Sequence, residues 1–305
     1  MKLTTKLKSL IERPEILVMP GAYDPLSAKL VEQAGFDAIQ VSGLGIAASH
    51  LGMPDVSILS LSDVCDRTRA IVNATSLPVM ADGDTGFGNA VNVWYTVQGV
   101  EATGAAGINL EDQVMPKRCG HLDGKEVISC EEMVGKIRAA VDARKDPDFI
   151  INARTDALAV EGLRATITRA NAYFEAGASM VFVDGADHLK TISALADAFH
   201  GPLAINMVEG GKTPDNMTFN ELQQRGVARV SLPVSTLLSA MHGMQQALAH
   251  IQKTGTTAAD PALFADFTET HTLLGMEHVY GLERRFMSPH QWADKYSSGT
   301  ARRTS

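Results

Sequence analysis

The chain has 305 residues, of which 45 % are hydrophobic and 20 % charged, with a formal net charge of −8. This composition suits a globular protein with a large core, and an acidic chain with no long basic run argues against nucleic acid or an anionic membrane surface as partner. The three cysteines, Cys65, Cys119 and Cys130, form no CxxC pair, no stretch is apolar enough to span a bilayer, and residues 1–10 lack the apolar core of a secretory signal. The expected setting is therefore a reducing, cytosolic one.

In chain order, short apolar runs alternate with longer amphipathic stretches. Residues 16–19 read as a buried strand, followed by helical spacing over 24–34 that Gly35 stops. A strand at 38–41 precedes a helix over 61–74 with Ser60 or Ser62 as its cap. A strand at 78–81 leads to a helix over 90–103 closed by Gly104, then to a strand at 107–110 and a polar loop over 111–125. Helix 130–144, strand 149–153 and helix 163–176 follow, the last ended by Gly177. Strand 180–183 with helix 189–198, strand 203–206 with helix 219–224, and strand 228–231 with a long helix over 234–251 complete the series.

Eight β-then-α units with continuously apolar strands imply burial on both faces and a parallel sheet. With no Gly-rich dinucleotide fingerprint, closure into a (β/α)8 TIM barrel is predicted over an open sheet. The barrel domain is expected at 1–255 and a C-terminal helical tail at 256–305, with an amphipathic helix over 261–285 and a frayed basic end from residue 297.

Polar residues gather after the strands, at the end where a barrel carries its chemistry. They are Ser42-Gly43-Leu44-Gly45, Asp82-Gly83-Asp84, Glu111-Asp112, Arg154-Thr155-Asp156, Asp184, and Asn206 with Glu209. Asp82 and Asp84, two apart, fall on one side of an extended segment, and close carboxylates repel unless a cation lies between them. Glu111 and Asp112, on the next strand, would join that cluster. Hard oxygen donors without His or Cys point to Mg²⁺ or Mn²⁺; the plainer reading is a solvated Asp-Gly turn.

In Lys117-Arg118-Cys119-Gly120-His121, cations flank a thiol in a loop with glycine hinges, favouring a reactive cysteine on a mobile lid. Cys65 and Cys130, within helical patterns, read as packed side chains. Arg154 can fork onto a substrate carboxylate or pair with Asp156 or Glu111, and both roles are compatible. Ser42-Gly43-Leu44-Gly45 offers a hydroxyl and backbone N–H groups to a carboxylate. Tyr23 and His121 are candidates for a hydroxyl base.

The ordered segments DGDTGFG from Asp82, EDQ from Glu111, KRCGH from Lys117, ARTDA from Ala153 and NMVEGGKTP from Asn206 resemble the isocitrate lyase / phosphoenolpyruvate mutase superfamily over residues 20–255. KRCGH resembles its carbon–carbon lyase branch. The resemblance implies a barrel with Mg²⁺ held directly by Asp82 and through water by Asp55, Asp84 and Glu111. It assigns Ser42, Gly43, Leu44, Gly120, Arg154 and Asn206 to a small di- or tricarboxylate substrate, with Asp184 and Glu209 as further strand-end candidates. Cys119 would act as general acid, and the assembly would be a homotetramer exchanging C-terminal helices.

Methylisocitrate lyases of this branch are expected to carry an Arg where this chain has Leu238, and a Glu where it has Asp184. Both departures favour a substituted malate of the 2,3-dimethylmalate type over a tricarboxylate. A phosphonate mutase or hydrolase, or an oxaloacetate decarboxylase, are the other readings within the fold.

Overall fold

The computed structural model describes residues 1–120, 124–211 and 217–297. Its eight strands are β1 (Leu17–Ala22), β2 (Ile39–Val41), β3 (Val79–Asp82), β4 (Gly107–Glu111), β5 (Ile150–Thr155), β6 (Met180–Val183), β7 (Leu203–Asn206) and β8 (Val227–Leu232). Each pairs in parallel with the next, and β1 pairs with β8 to close the barrel. The register sets Asp82 beside Asn109 and Asn152, and Glu111 beside Arg154 and Phe182. Charged side chains from neighbouring strands therefore reach the same level of the barrel.

The outer helices begin where side-chain caps satisfy their free N–H groups. Asp24 caps Pro25–Gln33, Ser60 caps Leu61–Val72, and Asn89 caps Ala90–Glu101. Gly104, at φ 89°, takes the left-handed turn after Ala90–Glu101 that a side chain would disfavour.

An unpredicted helix, Leu3–Glu12, precedes the barrel. Its Leu7 and Ile11 are buried against Leu17, Met80, Ile150 and Met180, at or near the strand starts. Burying these two side chains contributes about 1.5–3 kcal/mol each, and the helix stoppers the barrel end opposite the polar strand ends.

By contact the chain divides into two compact units, Met1–Met241 and His242–Ser305. The single helix predicted over 261–285 is instead a 3-10 turn Pro261–Leu263, then helices Phe267–Leu273 and Met276–Phe286. The break falls at Gly275, at φ 85°, a conformation incompatible with continuing the helix. Among the described residues no helix is long and apolar enough to cross a membrane.

Candidate active site

Strand β3 ends at Asp82, and the turn behind it places Asp84 at φ 45°. Asp82 accepts from the backbone N–H of Gly43 (3.1 Å) and of Asp84 (3.2 Å). Glu111 N–H donates to Asp84 O (2.9 Å), and the buried Lys136 ammonium donates to Thr85 O (3.0 Å). Three separate elements therefore hold the acid-bearing turn still.

The cation expected between the carboxylates is in part a side chain. Lys117 Nζ lies 2.6 Å from Asp55 Oδ2 and 2.9 Å from Asp84 Oδ1. Sequence reasoning read Lys117 as a neighbour of the thiol, whereas the loop folds back and sends its ammonium into the acid cluster. Burial opposes the charge on Lys117, but Asp84, Glu111, Asp55 and Asp82 outweigh it and hold its pKa well above the usual value. Burial also raises Asp84 to about 6, with Lys117 opposing and Asp82 and Asp55 adding repulsion. Glu111 is raised by burial too, against the pull of Arg154. All three groups hold their protons tightly, the two carboxyls chiefly because they are buried and Lys117 because four carboxylates surround it.

Arg154 reaches three carboxylates: Asp156 Oδ2 (2.9 Å), Glu111 Oε2 (3.2 Å) and Asp184 Oδ1 (3.2 Å). Lys125, unremarked in the sequence, bridges Asp156 (2.8 Å) and Asp184 (3.2 Å). Deeper in the barrel, Arg229 is fully buried, bonded to Gln40, with Nε and Nη1 lacking hydrogen-bond partners. Phe182 lies between the two arginines, its ring centroid 5.2 Å from the Arg154 guanidinium and 5.7 Å from that of Arg229.

The expectation that Asp112 joins the acid cluster is not met. Glu111 points into the barrel, so its neighbour points out. Asp112 is fully buried and accepts from Thr155 Oγ1 (2.7 Å), Asp156 N–H (2.9 Å) and Tyr173 Oη (2.7 Å).

Whether these residues suit a divalent ion can be tested on their own chemistry. Among the described residues, no three His, Cys, Asp or Glu side chains converge as a complete protein shell for a metal. Glu111 Oε1 is buried without a hydrogen-bond partner. With every group ionised, Asp55, Asp82, Asp84, Glu111, Asp156 and Asp184 carry two more charges than Lys117, Lys125, Arg154 and Arg229 offset, an excess that one divalent cation would neutralise. The donor set fits a hard divalent ion.

A cavity of about 490 Å³ opens above the acids. Ser42, Gly43, Leu44, Asp55, Asp82, Lys117, Cys119, Gly120, Arg154, Asp184, Asn206 and Glu209 line it, while Asp84 and Glu111 sit behind. His121 and residues 212–214 of the NMVEGGKTP segment lie outside the described residues.

The anion nest expected at Ser42-Gly43 is partly engaged already. Ser42 Oγ caps Gly45 N–H (3.0 Å), and Gly43 N–H serves Asp82. Tyr23 packs its ring where a side chain on Gly45 would stand, and burial raises its pKa, which keeps the phenol protonated and unsuited to accept the substrate proton. The cavity is also lined by the apolar Val208, Pro233, Val234 and Leu238, a surface that sequence reading located only at Leu238.

Cys119 is half-buried at the cavity lip. The feet of its loop are joined by Val114 N–H to Glu126 O (2.8 Å) and Ile128 N–H to Asp112 O (2.8 Å). Gly120 sits so close that a Cβ there would stand 2.1 Å from Asp184 Oδ2 and 2.3 Å from Arg154 Nη2. The loop lies over the charged groups because residue 120 has no side chain.

Comparison with known proteins agrees with this geometry. Over 286 residues the chain is 41 % identical to a 2,3-dimethylmalate lyase of Eubacterium barkeri, covering 94 % of this chain and 99 % of the relative. It is 48 % identical over 236 residues to a 2-methylisocitrate lyase of Escherichia coli, covering 77 % and 78 %. A phosphonopyruvate hydrolase solved with oxalate and Mg²⁺ superposes with a TM-score of 0.86 at 33 % identity, covering 94 % of this chain and all of that one, 100 %. Residues 7–252 match the family model described as phosphoenolpyruvate phosphomutase. On the match of sequence, barrel and strand-end acids together, the chain belongs to the phosphoenolpyruvate phosphomutase family.

Proposed function

We propose that the chain is a Mg²⁺-dependent carbon–carbon lyase that splits a substituted malate into a 2-oxo acid and a monocarboxylic acid. The observation that carries this is one cavity lined both by Cys119, Arg154 and the acid cluster and by the apolar Val208, Pro233, Val234 and Leu238. Asp82 would hold the ion directly, with Asp55, Asp84 and Glu111 through water. When bound, Mg²⁺ supplies a hard Lewis acid that chelates a 2-hydroxy carboxylate and offsets negative charge.

Arg154 and Asn206 would orient the second carboxylate, with Asp184 fixing both: its carboxylate is 3.2 Å from Arg154 and accepts from Asn206 Nδ2 (3.1 Å). The substrate hydroxyl would give its proton to water in the cavity, the C2–C3 bond breaks as the carbonyl forms, and the bonding pair stays on the departing carbon. The Cys119 thiol gives that carbon its proton as general acid. The loop that carries Cys119 also shields the carbanion from bulk water.

A second reading, methylisocitrate cleavage, draws on the 48 % identity to the Escherichia coli relative. Leu238 speaks against it, since a third carboxylate would meet an apolar wall with no cation from that position. The test is release of a 2-oxo acid with Mg²⁺ from malate, citramalate, 2,3-dimethylmalate, isocitrate and methylisocitrate. Turnover of alkylmalates that is lost in Cys119→Ala supports the proposal. Turnover of methylisocitrate alone overturns the substrate assignment, and C–P cleavage that survives Cys119→Ala would move the chain to phosphonate chemistry.

Assembly as a homotetramer exchanging C-terminal helices is part of the same proposal. It is supported by exposed Val279, Leu282 and Phe286 on one helix of the second unit, and sedimentation velocity tests it.

A further inference from the structure

Asp112 performs none of the chemistry above, yet it has three hydrogen-bond donors and no solvent exposure. A fully desolvated carboxylate is costly unless its bonds are well made, and here the bonds reach two elements, the end of β5 and the helix Leu163–Glu175. Thr155 Oγ1 and Asp156 N–H, which bind its two oxygens, lie at the end of β5. The Asp156 side chain then holds Arg154 through Nε and Nη2 and holds Lys125, a residue of the Cys119 loop itself.

The Asp112 backbone is tied to the same machinery. Its N–H donates to Arg154 O (3.2 Å), and its carbonyl accepts from Ile128 N–H (2.8 Å), the far foot of the loop. Arg169 Nη1 donates to Ile128 O (2.9 Å) and lies 3.6 Å from Asp112 Oδ2, while a bidentate pair with Glu161 (2.7 and 2.6 Å) holds that guanidinium in place. Tyr173 Oη completes the node from the same helix, Leu163–Glu175.

We propose that Asp112, supported by Tyr173 and Arg169, is a positioning residue that sets the hinge of the Cys119 loop and couples it to the placement of Arg154. Through one residue the fold joins the far foot of the loop, held by the Asp112 carbonyl and by Arg169 on Ile128 O, to the register of Asp156, held by the Asp112 carboxylate, and Asp156 is the residue to which the loop's Lys125 fastens. Substrate carboxylate and proton donor are thereby aligned by a group that touches neither. The inference rests on the lyase reading for what is aligned, and on the geometry alone for how.

The test compares the full chain with Asp112→Asn and Tyr173→Phe. The readout is the rate at which iodoacetamide alkylates Cys119, followed by residue-resolved mass spectrometry, with and without Mg²⁺ plus oxalate. In the wild type the added pair slows alkylation as the loop closes. Tyr173→Phe keeps the ring and removes one donor, so the fold persists while the protection falls. In Asp112→Asn the protection is lost, and kcat on the best alkylmalate drops about 100-fold, the scale of a misplaced reacting group, with KM changed little.

A core variant lowered to the same Tm, Ile137→Val, keeps wild-type protection if the effect is specific to the hinge. Wild-type protection retained in both Asp112→Asn and Tyr173→Phe overturns the hinge role and leaves the lyase reading standing. No protection in the wild type overturns closure over an oxo-acid analogue, and the hinge role with it.

Discussion

Lys117 Nζ lies 2.6 Å from Asp55 Oδ2, with 3 % and 10 % of the two side chains exposed. The same ammonium is 2.9 Å from Asp84, so a loop residue supplies positive charge where a divalent ion is proposed to sit. Removing it as Lys117→Met leaves Asp55 and Asp84 facing each other uncompensated. Mn²⁺, titrated calorimetrically, is expected to bind the variant at least about 10-fold more tightly, because a nearby like charge has gone. Turnover falls in parallel as the loop loses its anchor. Unchanged Mn²⁺ affinity would mean that the ion binds beyond the reach of Lys117.

Gly120→Ala tests the contact beneath the loop. The new methyl would meet Asp184 Oδ2 at 2.1 Å and Arg154 Nη2 at 2.3 Å, and neither can swing aside without breaking a buried ion pair. The loop is expected to stand off the cavity, with kcat/KM lower by about 100-fold and Tm little altered. Steady-state kinetics alongside thermal melting separates the two effects, and near-wild-type kcat/KM would show that the loop has another closed position.

Leu238→Arg introduces a cation into the apolar wall, where Leu238 is 37 % exposed. Cleavage of an alkylmalate should drop by about 10-fold and that of methylisocitrate rise by a similar factor, the scale of one charge-assisted carboxylate contact. The ratio of the two kcat/KM values reports the switch, and a fall in both would place the variable substituent elsewhere.

The pair between Glu161 and Arg169 gives a pH signature. The Arg169 hydrogen bond holds Glu161 below its ordinary pKa, with burial opposing. A depressed carboxylate contributes stability above its unfolded pKa, about 4.3, and loses it as pH falls through the folded value. Wild type should therefore exceed Glu161→Gln in unfolding free energy at pH 6, and the gap should close below about pH 4. Glu161 is partly exposed, so the gap is expected to be modest, on the order of 1 kcal/mol. Urea titrations at pH 3 to 7 measure it.

The barrel was legible because each strand is a short apolar run and each helix carries its own stop. The runs at 180–183 and 203–206 match β6 and β7 residue for residue. Boundaries slipped where a strand ends in polar residues that face the cavity, as at Asp82, Glu111 and Arg154-Thr155. Solvation logic ends a strand at such residues, whereas the ladder carries on through them. The helix Leu3–Glu12 was missed because only Leu7 and Ile11 are buried along it, too sparse a pattern beside its lysines.

Residues at strand ends could be found from position alone, and so Asp82, Glu111, Arg154 and Asp184 were. Lys117 and Lys125 could not, since a loop's path back to the barrel is not encoded in any period. Asp112 was misplaced for a correctable reason: alternation along β4 sends it away from Glu111.

The helix that plugs the lower end of the barrel has a kinetic consequence. If the cavity at the polar strand ends is the path for substrate and for both products of the proposed cleavage, the fragments would depart in sequence. On the lyase reading, the half held by the acids would lie deepest and leave last, as the 2-oxo acid. Product inhibition should accordingly be competitive for the 2-oxo acid and noncompetitive for the monocarboxylic acid.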